Sequence, residues 1–139
     1  MVSFIQSNYH GFGSGVVVPG TGIALHNRGC GFNVRQGHAN CVGPKKKPMH
    51  TIIPGFITRQ GKPLMSFGVM GGSMQAQGHA QMVARLGAFA QNPQAMSDAR
   101  RFGVENGPIV YLEAHTPEAV IQNLEAREDR VDHARADTH

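Results

Sequence analysis

The stretch VMGGSMQ, Val69 to Gln75, limits what the chain can fold into more than any other. An apolar run, LMSFGVM, reaches two consecutive glycines with no loop between, and Ser73 then opens a helical pattern as its N-cap. Met82, Val83, Leu86, Phe89 and Ala90 recur at the spacing of one helix face, and Asn92-Pro93 ends it. A strand feeding a helix through Gly71-Gly72 presents consecutive backbone N–H groups, free of Cβ obstruction, beside the positive end of the helix dipole. Such a turn suits an oxyanion in acyl transfer. It also suits a tight turn with no ligand, and local geometry leaves both open.

The flanking sequence sets an α+β order of elements. MVSFIQS alternates apolar and polar positions and reads as a strand, NYHGFGSG as a loop, and VVVPG and IAL as brief strands around Gly20-Thr21-Gly22. From His26 to Pro48 nothing is periodic, and irregular loops of that length are uncommon unless functional or docked. TIIPGFIT, RQGKP and LMSFGVM then predict a hairpin. After the long helix, a short one is expected over Gln94 to Arg101 starting on Pro93. A strand IVYLE and a third helix with Thr116 as N-cap and Pro117 at its first position follow. Strands first, then strand–Gly-Gly–helix, indicate sheet-and-helix layering in one domain over residues 1–127. The charged residues 128–139 are expected to form a disordered tail.

Composition excludes several classes. At 40% hydrophobic and 16% charged, the 139 residues are not those of a disordered chain. The net charge of +4 is mild, and the basic run Lys45-Lys46-Lys47 lacks interleaved aromatics, so it reads as a solvated loop and not a nucleic-acid site. Cys30 and Cys41 form no CxxC pair or Cys/His cluster, which argues against a zinc site and for free thiols. With no secretory signal and no membrane-spanning run, a cytoplasmic setting is expected and a membrane partner is not.

Few residues offer chemistry on their own. GFGSG superficially matches a dinucleotide fingerprint, but its spacing is wrong and a β-run follows it. His50 and Thr51 stand at the mouth of a strand, where such residues are mostly structural. No Ser/His/Asp order suggests a triad. Arg28 sits alone in a glycine-rich turn. The residues by themselves give an anion-friendly turn, an arginine in a loop, and no nucleophile.

FGSGVVVPGTGIAL, NRGCGF, GPKKKPMHTIIPGFI, RQGKP and VMGGSMQAQGHAQ, in that order from Val2 to about Leu124, together resemble the small subunit of the γ-glutamyltransferase (γ-glutamyltranspeptidase) family. The likeness is strongest to its bacterial acylase and amidohydrolase branch. The resemblance implies part of an N-terminal-nucleophile hydrolase, a four-layer αββα sandwich here represented by a truncated small subunit. In that family a precursor cuts itself, and the freed N-terminal threonine attacks an amide with its own α-amine as base. No metal or organic cofactor is implied. The threonine and the large-subunit portion are expected to lie outside these residues.

On the same resemblance, Gly71 and Gly72 correspond to the oxyanion-hole pair and Ser7 to a hydroxyl residue supporting the nucleophile. His50 and Thr51 fall where the γ-glutamyl enzymes hold the substrate carboxylate with a serine pair. Tyr9 replaces an asparagine, and Arg28 and Gly31 replace residues that grip an α-ammonium group. A guanidinium there favours a small-molecule amide substrate bearing a carboxylate, oxamate-like or glutaryl-like. Alternatively, Arg28 pairs with a large-subunit carboxylate. Two other readings stand beside the enzyme: an inactive remnant that at most docks on a partner, and a small anion-binding module. A chain without its larger half is expected to expose sheet edges and an apolar face, and to self-associate.

Overall fold

The computed structural model of the chain describes residues 1–104 and 107–133. The chain forms two compact units, Met1–Ser66 and Phe67–His139.

The first unit is held by turns and side-chain staples. Residues 2–7 alternate, but with Ser3, Ile5 and Ser7 half-buried and Val2 and Phe4, the expected apolar positions, exposed with Gln6. Among the described residues the segment pairs with no strand, so the expected N-terminal strand is absent. VVV and IAL likewise reduce to one antiparallel bridge, Val17 to Ala24. Pro19 has no N–H to continue that ladder. A Cβ at Gly13, which has φ 72°, would lie 2.4 Å from the Leu25 carbonyl oxygen. The GFGSG loop therefore uses glycine for close chain approach.

Arg28–Gly31 forms a 3-10 turn. The irregular loop after it docks on itself through Asn40, whose amide donates to the Gly31 carbonyl and whose Oδ1 accepts from the Met49 N–H at 3.0 Å. Lys46, expected to be solvated, donates to the Ala39 carbonyl at 2.6 Å and ties the same loop. The hairpin forms as expected: β1 (Gly55–Arg59) and β2 (Lys62–Phe67) flank Gln60-Gly61 at φ 50° and 75°. Two positive φ values define the I′ turn that matches strand twist. β1 starts later than the apolar run because Pro54 lacks a donor.

The second unit contains the buried apolar residues, Val69, Met96, Val110 and Leu112. α1 (Met74–Gly87) follows the glycine pair directly. Its buried residues are Gln75, Gly78, His79 and Gln81, while Val83 is 51% and Phe89 70% exposed, so the expected apolar face is rotated out. Gly78 explains part of this: a Cβ there would lie 2.6 Å from Val69 Cγ1, so the helix backbone rests on that valine.

α2 (Pro93–Asp98) is capped by Asn92, whose side chain accepts from the Ala95 N–H at 2.9 Å. It stops before Arg101, and β3 (Phe102–Val104), not expected from the sequence, follows. β4 (Ile109–Leu112) is central, antiparallel to β3 and parallel to β5 (Arg130–His133), with α3 (Glu118–Glu125) as the crossover. Thr116 does not cap α3; its hydroxyl donates to the Glu113 carbonyl at 2.7 Å, and Pro117 stands at the cap. β5 corrects the expectation of disorder from residue 128. The parallel crossover brings this polar segment to the vacant edge of β4, where Arg130 N–H donates to the Pro108 carbonyl at 2.7 Å. Residues 134–139 of that expected tail lie outside the described residues.

Candidate functional site

Gly71 and Gly72 lie at φ 118° and 57°, a combination that side chains rarely adopt. Their carbonyls accept the first bonds of the helix, from Met74 N–H at 3.0 Å and Gln75 N–H at 3.1 Å, which locks the turn. Their own N–H groups meet no acceptor among the described residues. Gly71 is exposed and Gly72 half-buried, with nothing within 4 Å of a Cβ at Gly72. Ser73 occupies the N-cap position as expected, yet its hydroxyl makes no capping bond. The turn is thus fixed by its carbonyls and open at its donors, the arrangement an anion requires.

In the first unit, four of the candidate residues form one connected cluster. Arg28 is 6% exposed and is the one buried residue among that unit's described residues. Its Nη1 donates to Thr51 Oγ1 at 3.1 Å, and its guanidinium carbon lies 4.8 Å from the centre of the Tyr9 ring. Tyr9 has φ 77°, and its N–H donates to Ser7 Oγ at 2.9 Å. A cation over a desolvated ring gains about 2 kcal/mol, less than a buried unpaired charge costs. The first unit itself supplies no carboxylate, because no Asp or Glu precedes Asp98 in the sequence.

His50 stands apart. It is exposed, and its Nδ1 accepts from the Ile52 N–H at 3.2 Å, a local turn contact. Gly31 serves the Asn40 staple through its carbonyl. Sequence reasoning missed Asn27, which assembles the cluster. Its Oδ1 accepts from His10 N–H at 3.0 Å, its Nδ2 donates to the His10 carbonyl at 3.3 Å, and its N–H donates to the Asn8 carbonyl at 3.2 Å. An asparagine before a glycine-rich turn was the available signal. Cys30 and Cys41 are free thiols. A groove of about 340 Å³ along α1 and β3, lined by Gln77, Ala80, Gln81, Ala84 and Phe102, touches none of the candidate residues.

A glycine turn with open amide donors and a buried arginine in a unit without acidic residues fit a protein that handles anions. The γ-glutamyltranspeptidase family profile matches residues 1–138, and the chain belongs to that family. It is 40% identical over 100 residues, 71% of its length, to the glutathione hydrolase-like YwrD proenzyme of Bacillus subtilis, of which it covers 19%. It is 45% identical over 84 residues, 60% of its length, to the oxamate amidohydrolase proenzyme of Klebsiella pneumoniae, of which it covers 16%. The structure superposes on cephalosporin acylase from Bacillus halodurans with a TM-score of 0.88 and 49% identity. That match covers 94% of this chain and 24% of the acylase chain. The chain thus spans less than a quarter of the length of each of these three proteins.

Proposed function

We propose that this chain is small-subunit sequence of a γ-glutamyltranspeptidase-family enzyme that cleaves amide bonds, by hydrolysis or acyl transfer, in a cytoplasmic setting. Its α+β units belong to one part of an αββα N-terminal-nucleophile sandwich whose remainder, including the attacking threonine, comes from outside these residues. Attack on the amide carbon places negative charge on the carbonyl oxygen. The Gly71 and Gly72 N–H groups donate to that oxygen, and fixed donors of this kind contribute about 3 kcal/mol each to such a transition state. Ser7 supports the nucleophile, and Thr51 and Tyr9 hold the guanidinium of Arg28, which selects the substrate. His50 contributes at most one side of the substrate site.

The observation that carries the reading is Arg28: buried, stacked on Tyr9, bonded to Thr51, and in a unit without acidic residues. The group completing it is a carboxylate brought by the substrate, as in oxamate-like or glutaryl-like amides. An oxamate amidohydrolase among the relatives supports this class. The test is an intact enzyme carrying this sequence, assayed on such amides and on γ-glutamyl-p-nitroanilide. Preference for the amides that carry a carboxylate but no α-ammonium group is expected, with Arg28→Glu lowering their kcat/KM by two or more orders of magnitude, as for loss of a buried ion-pair partner. Efficient turnover of the anilide together with indifference to Arg28→Glu overturns the assignment. If Arg28 instead pairs with a large-subunit carboxylate, Arg28→Glu weakens subunit association and leaves substrate preference unchanged.

A second reading is favoured by the absence of buried apolar side chains from the first unit's described residues. In that reading the chain is an inactive remnant that docks on a partner. It predicts no turnover of any amide even when the remainder of the enzyme is supplied.

A further inference from the structure

β3 lies at the edge of its sheet, yet its outward backbone groups are paired. Along a strand, successive residues turn their N–H and C=O to opposite sides, so Phe102 and Val104 share one side and Gly103 takes the other. The Phe102 N–H donates to Gln81 Oε1 at 3.2 Å, and its carbonyl accepts from Gln81 Nε2 at 2.7 Å. The Val104 N–H donates to Gln77 Oε1 at 2.8 Å, and its carbonyl accepts from Gln77 Nε2 at 2.7 Å. Each primary amide makes the two bonds that a residue of a neighbouring strand would make.

The match is geometric. Residues four apart on a helix rise about 6 Å along its axis. Residues two apart on a strand are separated by about 6.8 Å. Gln77 and Gln81 can therefore address alternate residues of β3 with the helix running antiparallel to it. Between them, a Cβ at Gly103 would lie 3.2 Å from Met74 Sδ, and a Cβ at Gly71 would lie 3.2 Å from Met74 Cβ. The first turn of α1 is thereby tied both to the strand and to the glycine pair.

We propose that Gln77 and Gln81 act as a side-chain strand that closes the β3 edge to strand addition. They are also positioning residues that hold α1, and with it the Gly71-Gly72 amides, against the sheet. The positioning half rests on the reading of Gly71-Gly72 given above; the edge closure does not.

Amide hydrogen exchange on the full chain tests both halves. Gln81→Leu should speed exchange at Phe102 by at least about tenfold and leave Val104 protected; Gln77→Leu should do the converse. Gln→Glu at either position keeps an acceptor and should preserve that amide's protection. Simple packing would not separate the variants this way, because leucine fills the space of glutamine. Unchanged exchange in both leucine variants, or equal loosening at every amide, overturns the edge closure. In the double leucine variant the Gly71 and Gly72 amide resonances should shift or broaden; unmoved resonances overturn the positioning half. If the double variant does not fold, broadening of the same resonances in Gln77→Leu decides. Failure of the substrate assay above would leave the exchange results standing.

Discussion

Gly78 shows how one residue can set the seat of a helix. A glycine inside a helix costs about 1 kcal/mol relative to alanine, so alanine there should stabilise α1 taken alone. In the protein the new Cβ would meet Val69 Cγ1 at 2.6 Å, Cβ at 3.3 Å and Cγ2 at 3.4 Å. Val69 is buried and β-branched, so it has few rotamers with which to yield. Overpacking of this kind costs about 1–3 kcal/mol, which exceeds the propensity gain. Gly78→Ala is expected to lower the urea midpoint. In a Val69→Ala background the Cγ contacts are gone and only the 3.3 Å approach to Cβ remains, so the loss should shrink or reverse. An equal Gly78→Ala effect in both backgrounds refutes the contact. The sequence could not show this, because a glycine in a helical pattern looks like a cost until its neighbour is known. Asn27 was hidden for the same reason: its amide bonds reach His10 across 17 residues of sequence. Arg28 and the glycine pair were legible as unusual chemistry in turns, although only the structure shows Arg28 buried.

Elements with local causes were read well, and those that depend on distant partners were not. The β1–β2 hairpin follows from two apolar runs around a turn, and the start of α1 from the glycine pair and Ser73; the apolar periodicity did not mark its buried face, and it ends at Gly87, before Asn92-Pro93. β3 is three residues including a glycine, and its hydrogen bonds come from helix side chains and from β4. β5, with sequence RVDH, has one apolar residue and owes its existence to the edge of β4. Neither carries a local signal. The hairpin turn itself is improvable. Gln60 holds φ 50° in front of Gly61, a position where asparagine is far better tolerated. Gln60→Asn should stabilise the hairpin by about 0.5 kcal/mol, within the range of substitutions that suit an existing turn. Exchange at the β1 and β2 amides should slow in proportion. An unchanged or faster rate means that the turn does not limit hairpin opening.

At the scale of the whole chain, apolar burial and acidic charge are distributed unevenly. The buried apolar side chains, Val69, Met96, Val110 and Leu112, all lie in the second unit. In the first, Phe4 is 80%, Phe12 92% and Val34 87% exposed, and its cations Arg28, Arg35, Lys45, Lys46, Lys47, Arg59 and Lys62 face no acidic residue of their own unit. Exposed apolar area on that scale gives little to offset chain entropy, which runs to about 1–2 kcal/mol per ordered residue. The staples at Asn27 and Asn40 fix geometry without supplying a hydrophobic drive. The isolated chain should therefore show amide protection concentrated between residues 67 and 133, with residues 1–54 exchanging at close to unprotected rates and the β1–β2 hairpin weakly protected, and its melt should lack a single sharp transition. On the proposed function, adding the rest of the enzyme should bring protection to the backbone around Arg28, the Asn40 loop and the segment 2–7. If the isolated chain instead melts cooperatively as a monomer with its first unit protected, that unit stabilises itself. The stapled loops would then carry the stability here assigned to the covering partner.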